Sequence, residues 1–204
     1  MLIKLRDYER IYNIIRSVIA NEGSETSGAC AYFSAFGAYI LTKHYNLDPE
    51  LKCGLAAFYT GGNHEVILFG EEHNGTVTGA LDNFHCWIEV DGWAIDFMAP
   101  EFSKFDTGNF DVPTKMFQKR LGDMASNIND MAAPGDFFFS PNTEKTQLNL
   151  EQFTSKIGYS DLAEICSSWF RKCPKKIPPK IMIGDGKGNN NLVTLSGPPI
   201  KGRW

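Results

Sequence analysis

The sequence predicts a mixed fold of helices and strands, in which a candidate nucleophile opens a buried helix, a β section follows and further helices lie toward the C-terminus. Three observations predict it. Two helical periodicities open the chain, short strand-like segments separated by turn residues follow, and one of those turns, Asp91-Gly92, joins two segments of alternating polarity. With 204 residues, 43% of them hydrophobic, the chain can bury one sizeable core, and two full domains would be a squeeze. A single domain over 1–204 is expected, with its core at about 24–100 and a C-terminal helical region and basic tail at about 110–204.

Residues 3–20 place Tyr8, Ile11, Tyr12, Ile15 and Ile19 on one helical face and Arg6, Glu9, Arg10 and Asn13 on the other, so they predict an amphipathic helix. A second helix is expected over 28–45. It is apolar or small on nearly every side, which suits a buried central helix, and its first turn contains Cys30. Strands are expected at 53–59, 65–69 and 76–80, separated by turn residues at 61–63 and 73–75. Pro113 predicts a short helix through residue 121, because proline suits a helical first turn. Two more helices are expected at 149–157 and 160–171, the second capped by Ser160 and ended before Pro174. The glycine-rich stretch 184–188 matches no phosphate-binding pattern and reads as a turn.

The segment 84–98 carries most of the functional information. Asp-Gly supplies the two positive-φ residues of a type I′ turn, which pairs Val90 with Trp93, Glu89 with Ala94 and Ile88 with Ile95. Alternation then puts Cys86, Ile88, Val90, Trp93, Ile95 and Phe97 on an apolar face suited to a core. The other face carries His85, Trp87, Glu89, Ala94, Asp96 and Met98. His85 and Asp96 become diagonal neighbours, roughly 7–8 Å apart at Cα and within reach of a hydrogen bond. A carboxylate among Ala94, Ile95, Phe97 and Met98 is costly without a partner, and His85 is the obvious one. A purely structural His–Asp pair is the competing reading.

Charge is uneven along the chain. Residues 171–204 carry eight basic residues against one acid, while 1–170 carry twelve against twenty-three. The tail also has apolar anchors, so docking on the acidic body is favoured over binding nucleic acid. The longest uncharged run, 27–42, is too short and polar for a membrane span, and the N-terminus lacks the apolar region of an export signal. A cytoplasmic location is expected, with Cys30, Cys53, Cys86, Cys166 and Cys173 as free thiols. His64, His73, His85 and Cys86 fit no zinc spacing, so neither metal nor cofactor is expected.

A thiolate in the first turn of a helix is stabilised by the positive end of the dipole, a histidine beside it can take its proton, and an aspartate behind the histidine fixes the tautomer. Cys30, His85 and Asp96 supply these roles in one chain. Cys30 alone is a weak signal, since cysteines flanked by alanines are often small core residues. Cys53 and Cys86 fit that bland role better, and Cys166 and Cys173 lie in the basic-flanked C-terminal region.

A cysteine opening a buried helix, then His85-Cys86-Trp87-Ile88-Glu89-Val90, a turn, and Trp93-Ala94-Ile95-Asp96, resembles the papain-like cysteine peptidase superfamily, especially its transglutaminase-like branch. The overall look is similar to an uncharacterised bacterial family of about this length grouped with those peptidases. The likeness spans about 24–100. It implies an α+β fold with the nucleophile helix packed against an antiparallel β-sheet, Cys30 as nucleophile, His85 as general base and then acid, Asp96 as the orienting residue, and an oxyanion hole that includes the Cys30 backbone N–H. Papain-like peptidases add a glutamine upstream, where this chain has Ser24-Glu25-Thr26-Ser27. The second donor is therefore unassigned. Trp87 shares the His85 face and is a candidate wall of the substrate site, with core packing as the alternative. The implied activity is a thiol-dependent amidase or peptidase acting on a small-molecule or peptide substrate. An acyltransferase of the transglutaminase kind shares the chemistry up to the thioester, and a non-catalytic binding protein is the third possibility.

Overall fold

The structure, a computed structural model, describes residues 1–26, 28–61, 66–73, 76–78, 83–105, 112–185 and 187–204. Two helices come first, α1 (Leu5–Asn21) and α2 (Cys30–Tyr45), followed by β1 (Glu50–Tyr59), β2 (Val66–Phe69), β3 (Glu71–His73), β4 (Thr76–Thr78), β5 (His85–Val90) and β6 (Trp93–Asp96). A 3₁₀ helix, Ala99–Lys104, follows β6 directly. The remainder comprises β7 (Phe117–Arg120), β8 (Phe137–Pro141), α3 (Thr143–Thr154), α4 (Tyr159–Trp169), β9 (Lys180–Gly184) and β10 (Asn190–Thr194).

The architecture is α+β. The main sheet is antiparallel in the order β2-β1-β5-β6-β7, with β8 also paired to β1. The hairpin holds the register its turn dictates, with Ile88 opposite Ile95, Glu89 opposite Ala94 and Val90 opposite Trp93. Asp91 and Gly92 take φ of 50° and 74°, the positive values a type I′ turn requires.

The first helix buries the stripe its sequence displays, with Tyr8, Ile11, Tyr12, Ile15 and Val18 wholly inaccessible. The second has no polar stripe and packs on the apolar face of the hairpin. Gly37 makes that approach possible, because a Cβ there would lie 2.3 Å from the Phe97 ring and 3.3 Å from Ile88. The opposite hairpin face, carrying His85, Trp87, Ala94, Asp96 and Met98, is equally buried, so both faces of this ribbon lie in the core. An aromatic layer from β1, β2, β8 and the 3₁₀ helix covers it, including Phe58, Phe69, Phe139 and Phe102.

Several expectations are corrected. The helix expected from Pro113 to residue 121 is instead the strand β7, because Phe117 and Gln118 extend the hairpin ladder by pairing with Asp96 and Ile95. With β8, it means that two of the sheet's strands come from the region expected to be helical. The start of α3 lies six residues earlier than expected, set by Asn142, whose side chain accepts from the Lys145 N–H. Gly158, at a φ of 82°, precedes α4 in place of a Ser160 cap. Cys53 and Cys86 are joined in a disulfide rather than free. They are cross-strand partners on β1 and β5 with Cα atoms 4.2 Å apart, a spacing typical of a directly opposed antiparallel pair. Cys30, Cys166 and Cys173 are the free thiols.

The turns expected at 61–63 and 73–75 lie largely outside the described residues, as does the end of the third expected strand. The 184–188 stretch is the bend between β9 and β10. There the Asp185 carboxylate accepts from the Lys187 and Asn189 N–H groups, so an acid fills the loop that a phosphate would need. Among the described residues, no helix is long and apolar enough to cross a membrane.

Candidate active site

The hairpin register places His85, the first residue of β5, beside Asp96, the last of β6. His85 Nε2 lies 2.8 Å from Asp96 Oδ2, and neither side chain has any exposed surface. Asp96 is fixed from two further directions. Its Oδ1 accepts from the Met98 N–H at 2.8 Å, and its backbone carbonyl accepts from the Tyr8 hydroxyl, which itself accepts from the Phe117 N–H. Burial, then the negative charge of Asp96, pushes the Tyr8 phenol well above its usual range, so it stays a hydrogen-bond donor.

The His85 ring is walled by Phe69, Phe58 and Phe102, with centroids 4.4, 5.5 and 5.9 Å away. Burial alone would lower its pKa. The charge and hydrogen bond of Asp96, followed by the Cys30 thiol, outweigh that and raise it to about 9. His85 is therefore an imidazolium near neutral pH. With Nε2 engaged by Asp96, Nδ1 is left buried with no hydrogen bond of ordinary geometry, on the ring that the Cys30 thiol approaches.

Cys30 is the first residue of α2, which begins without a side-chain cap or an acid in its first turn. Only 7% of Cys30 is exposed. Sequence reasoning thus named three residues that the fold brings together, from the first turn of α2 and a hairpin more than fifty residues further along the chain.

A second buried polar cluster was not legible in the sequence. Glu101, on the 3₁₀ helix after Asp96, is fully buried and accepts from Tyr12 and Arg16 through Oε1 and from Thr26 through Oε2, with Lys104 closing on the same oxygen. Lys104 also donates to Thr26 Oγ1 at 2.7 Å. Burial opposes ionisation of Glu101, but these donors, Lys104 foremost, hold its pKa below the usual value. Thr26 belongs to the connection that delivers Cys30, and its carbonyl accepts from the Ala29 N–H. The segment that follows Asp96 therefore also grips the approach to Cys30.

A cavity of about 190 Å³ opens at Cys30, bounded by the start of α2, by Phe84 and by one face of α3. Trp87 does not line it. The indole is fully buried, stacked 4.4 Å from Phe139 with Nε1 donating to Glu89, so it backs the site as core and offers no surface to a substrate. Asn149 and Gln152 do line the cavity, at the i and i+3 positions of one helical face. Their amides are side-chain donors that the sequence near Cys30 lacked.

Residues 4–204 match the family of proteins of unknown function DUF2026. The chain belongs to the DUF2026 family. This DUF2026 chain is also similar to a protein whose crystal structure was solved as a genomics target, at 43% identity and a TM-score of 0.89 over 100% of this chain and 98% of the other. No curated protein matches it.

Proposed function

We propose that this chain is a thiol-dependent hydrolase, an amidase or peptidase, working through Cys30, His85 and Asp96 with a papain-like or transglutaminase-like arrangement. The observation that carries the reading is the fully buried His85–Asp96 pair facing the thiol at an uncapped helix start, with a cavity opening beside it. A purely structural His–Asp pair would need neither the cysteine nor the cavity.

The chemistry follows from the geometry. The Cys30 sulfur attacks the substrate carbonyl carbon with its proton already on the His85 imidazolium, and the carbonyl oxygen becomes an oxyanion. Backbone N–H groups at the start of α2 face that charge with the helix dipole behind them. The C–N bond breaks as His85 protonates the departing amine, leaving a thioester on Cys30. Water then attacks the thioester, His85 takes its proton, and the acid is released as the thiol is restored. Asp96 holds the ring against rotation. If an amine replaces water in the second half, the product is an acyl transfer; the shared thioester makes this the second reading.

The test is selective labelling. Among the three free thiols, Cys166 is buried, and burial raises its pKa far above the usual thiol range, so Cys173 is the informative control. Iodoacetamide at neutral pH is expected to label Cys30 at least tenfold faster than Cys173, with the advantage lost in His85→Ala. Equal labelling in the native protein would refute the activated thiol.

A further inference from the structure

The cavity beside Cys30 has an uneven chemistry. This chain has more acids than bases overall, 24 against 20, yet among the described residues no aspartate or glutamate lines the cavity. Among the described residues, the charged one in its lining is Lys156. That ammonium is held at the mouth by aromatic groups: Nζ lies 3.4 Å from the Tyr32 hydroxyl, 5.3 Å from the Tyr32 ring centroid and 5.6 Å from that of Phe153. Among the described residues no carboxylate pairs with it. Lys145 Nζ sits 5.0 Å from the ring of Phe84, another lining residue. Asn149 lies between the two lysines, its Nδ2 donating to the Lys145 carbonyl at 2.9 Å, which fixes the amide at the cavity wall. Positive charge, an amide and aromatic faces thus surround the approach to the nucleophile.

Resting on the thiol reading above, we infer that the Cys30 cavity takes an acyl group bearing a carboxylate, with Lys156 as the residue that selects it over a neutral acyl group. Tyr32, Phe84 and Phe153 pack the carbon chain between the carboxylate and the carbonyl, and the ammonium at the mouth meets the far end. An exposed ion pair of this kind supplies modest discrimination, about threefold for loss of the charge and about tenfold for its reversal. Ionic strength reduces it.

The test uses two alkylators of equal reach that differ in charge. Cys30 in the native full-length protein is labelled with iodoacetate and with iodoacetamide, and the rates are followed by peptide mapping. The ratio of the iodoacetate to the iodoacetamide rate is expected to fall about threefold in Lys156→Gln and about tenfold in Lys156→Glu, to stay near wild type in Lys156→Arg, and to drop in wild type as salt is raised. A ratio unchanged across the three variants overturns the assignment to Lys156 while leaving the thiol reading standing. Cys30 labelling no faster than Cys173 with both reagents overturns both.

Discussion

Replacing Asp96 with asparagine removes one charge from the centre of the molecule at nearly constant volume. In the wild-type protein His85 rises from 6.5 to about 9 although burial pushes it the other way, with Asp96 giving the larger upward pull and Cys30 the smaller. At about 1.4 kcal/mol per pH unit, the imidazolium is stabilised by about 3 kcal/mol net, and Asp96 is the larger source of that stabilisation. In Asp96→Asn the burial penalty remains and the counter-charge is gone. The His85 midpoint is then expected to fall below 6.5, leaving a neutral imidazole at neutral pH. Long-range ¹H–¹⁵N spectra of the histidine rings, recorded from pH 5 to 10, follow this directly, and His85→Gln identifies the resonance. Wild-type His85 should titrate near 9 and the variant below 6.5. A variant midpoint within half a unit of wild type would refute the electrostatic argument.

The same shift fixes a stability window. A histidine whose pKa is raised on folding contributes stability present in full below 6.5 and lost as pH rises through about 9. Wild-type stability is therefore expected to decline across that window by a few kcal/mol, and the decline should vanish in Asp96→Asn. A flat wild-type profile from urea unfolding between pH 6 and 9.5 would contradict it.

Three further outcomes are expected. Glu101→Gln leaves a single acceptor where the carboxylate served Tyr12, Arg16, Thr26 and Lys104; the loss of about 2–4 kcal/mol should lower the urea midpoint by about 1–2 M, and an unchanged midpoint would argue against the clamp. Thiol titration of the denatured, unreduced chain should count three thiols and, after reduction, five; five from the start would exclude the Cys53–Cys86 bond. Gly37→Ala forces a methyl group into the Phe97 ring and should cost about 1–3 kcal/mol, while Gly122→Ala, with nothing within 4 Å, should be near neutral; equal effects would refute close packing of α2 on the hairpin.

The hairpin was legible because its turn is chemically specific. Asp91 and Gly92 determine the register, the register determines the faces, and the faces bring His85 to Asp96. The place of Cys30 at the start of α2 was legible because a helix start is a local signal, whereas its meeting with β5 is not. The Cys53–Cys86 bond was missed because it depends on the pairing of β1 with β5, which no turn specifies. β7 was missed because Pro113 competes with a strand whose only evidence is its partner, the hairpin edge. The Trp87 side chain faced the expected side, but the sequence did not reveal that Phe139 of β8 would cover it.

The two halves of the site are located by different physics, yet they are mechanically joined. Asp96 ends β6, and the chain turns at once into the 3₁₀ helix whose Glu101 grips Thr26, four residues before Cys30. Tyr12 and Arg16 of α1 hold the same carboxylate, while Tyr8, one turn earlier on α1, holds the Asp96 carbonyl. One helix thus fixes both Asp96 and the clamp on the approach to Cys30 through a single face. Such cross-bracing fits the demand of thiol chemistry, where sulfur and imidazole must keep their spacing to within a fraction of an ångström while the substrate side stays open. A histidine–aspartate pair kept only to fill a core would need the packing around it, but would gain nothing from a buried carboxylate spent on holding the loop of a distant cysteine.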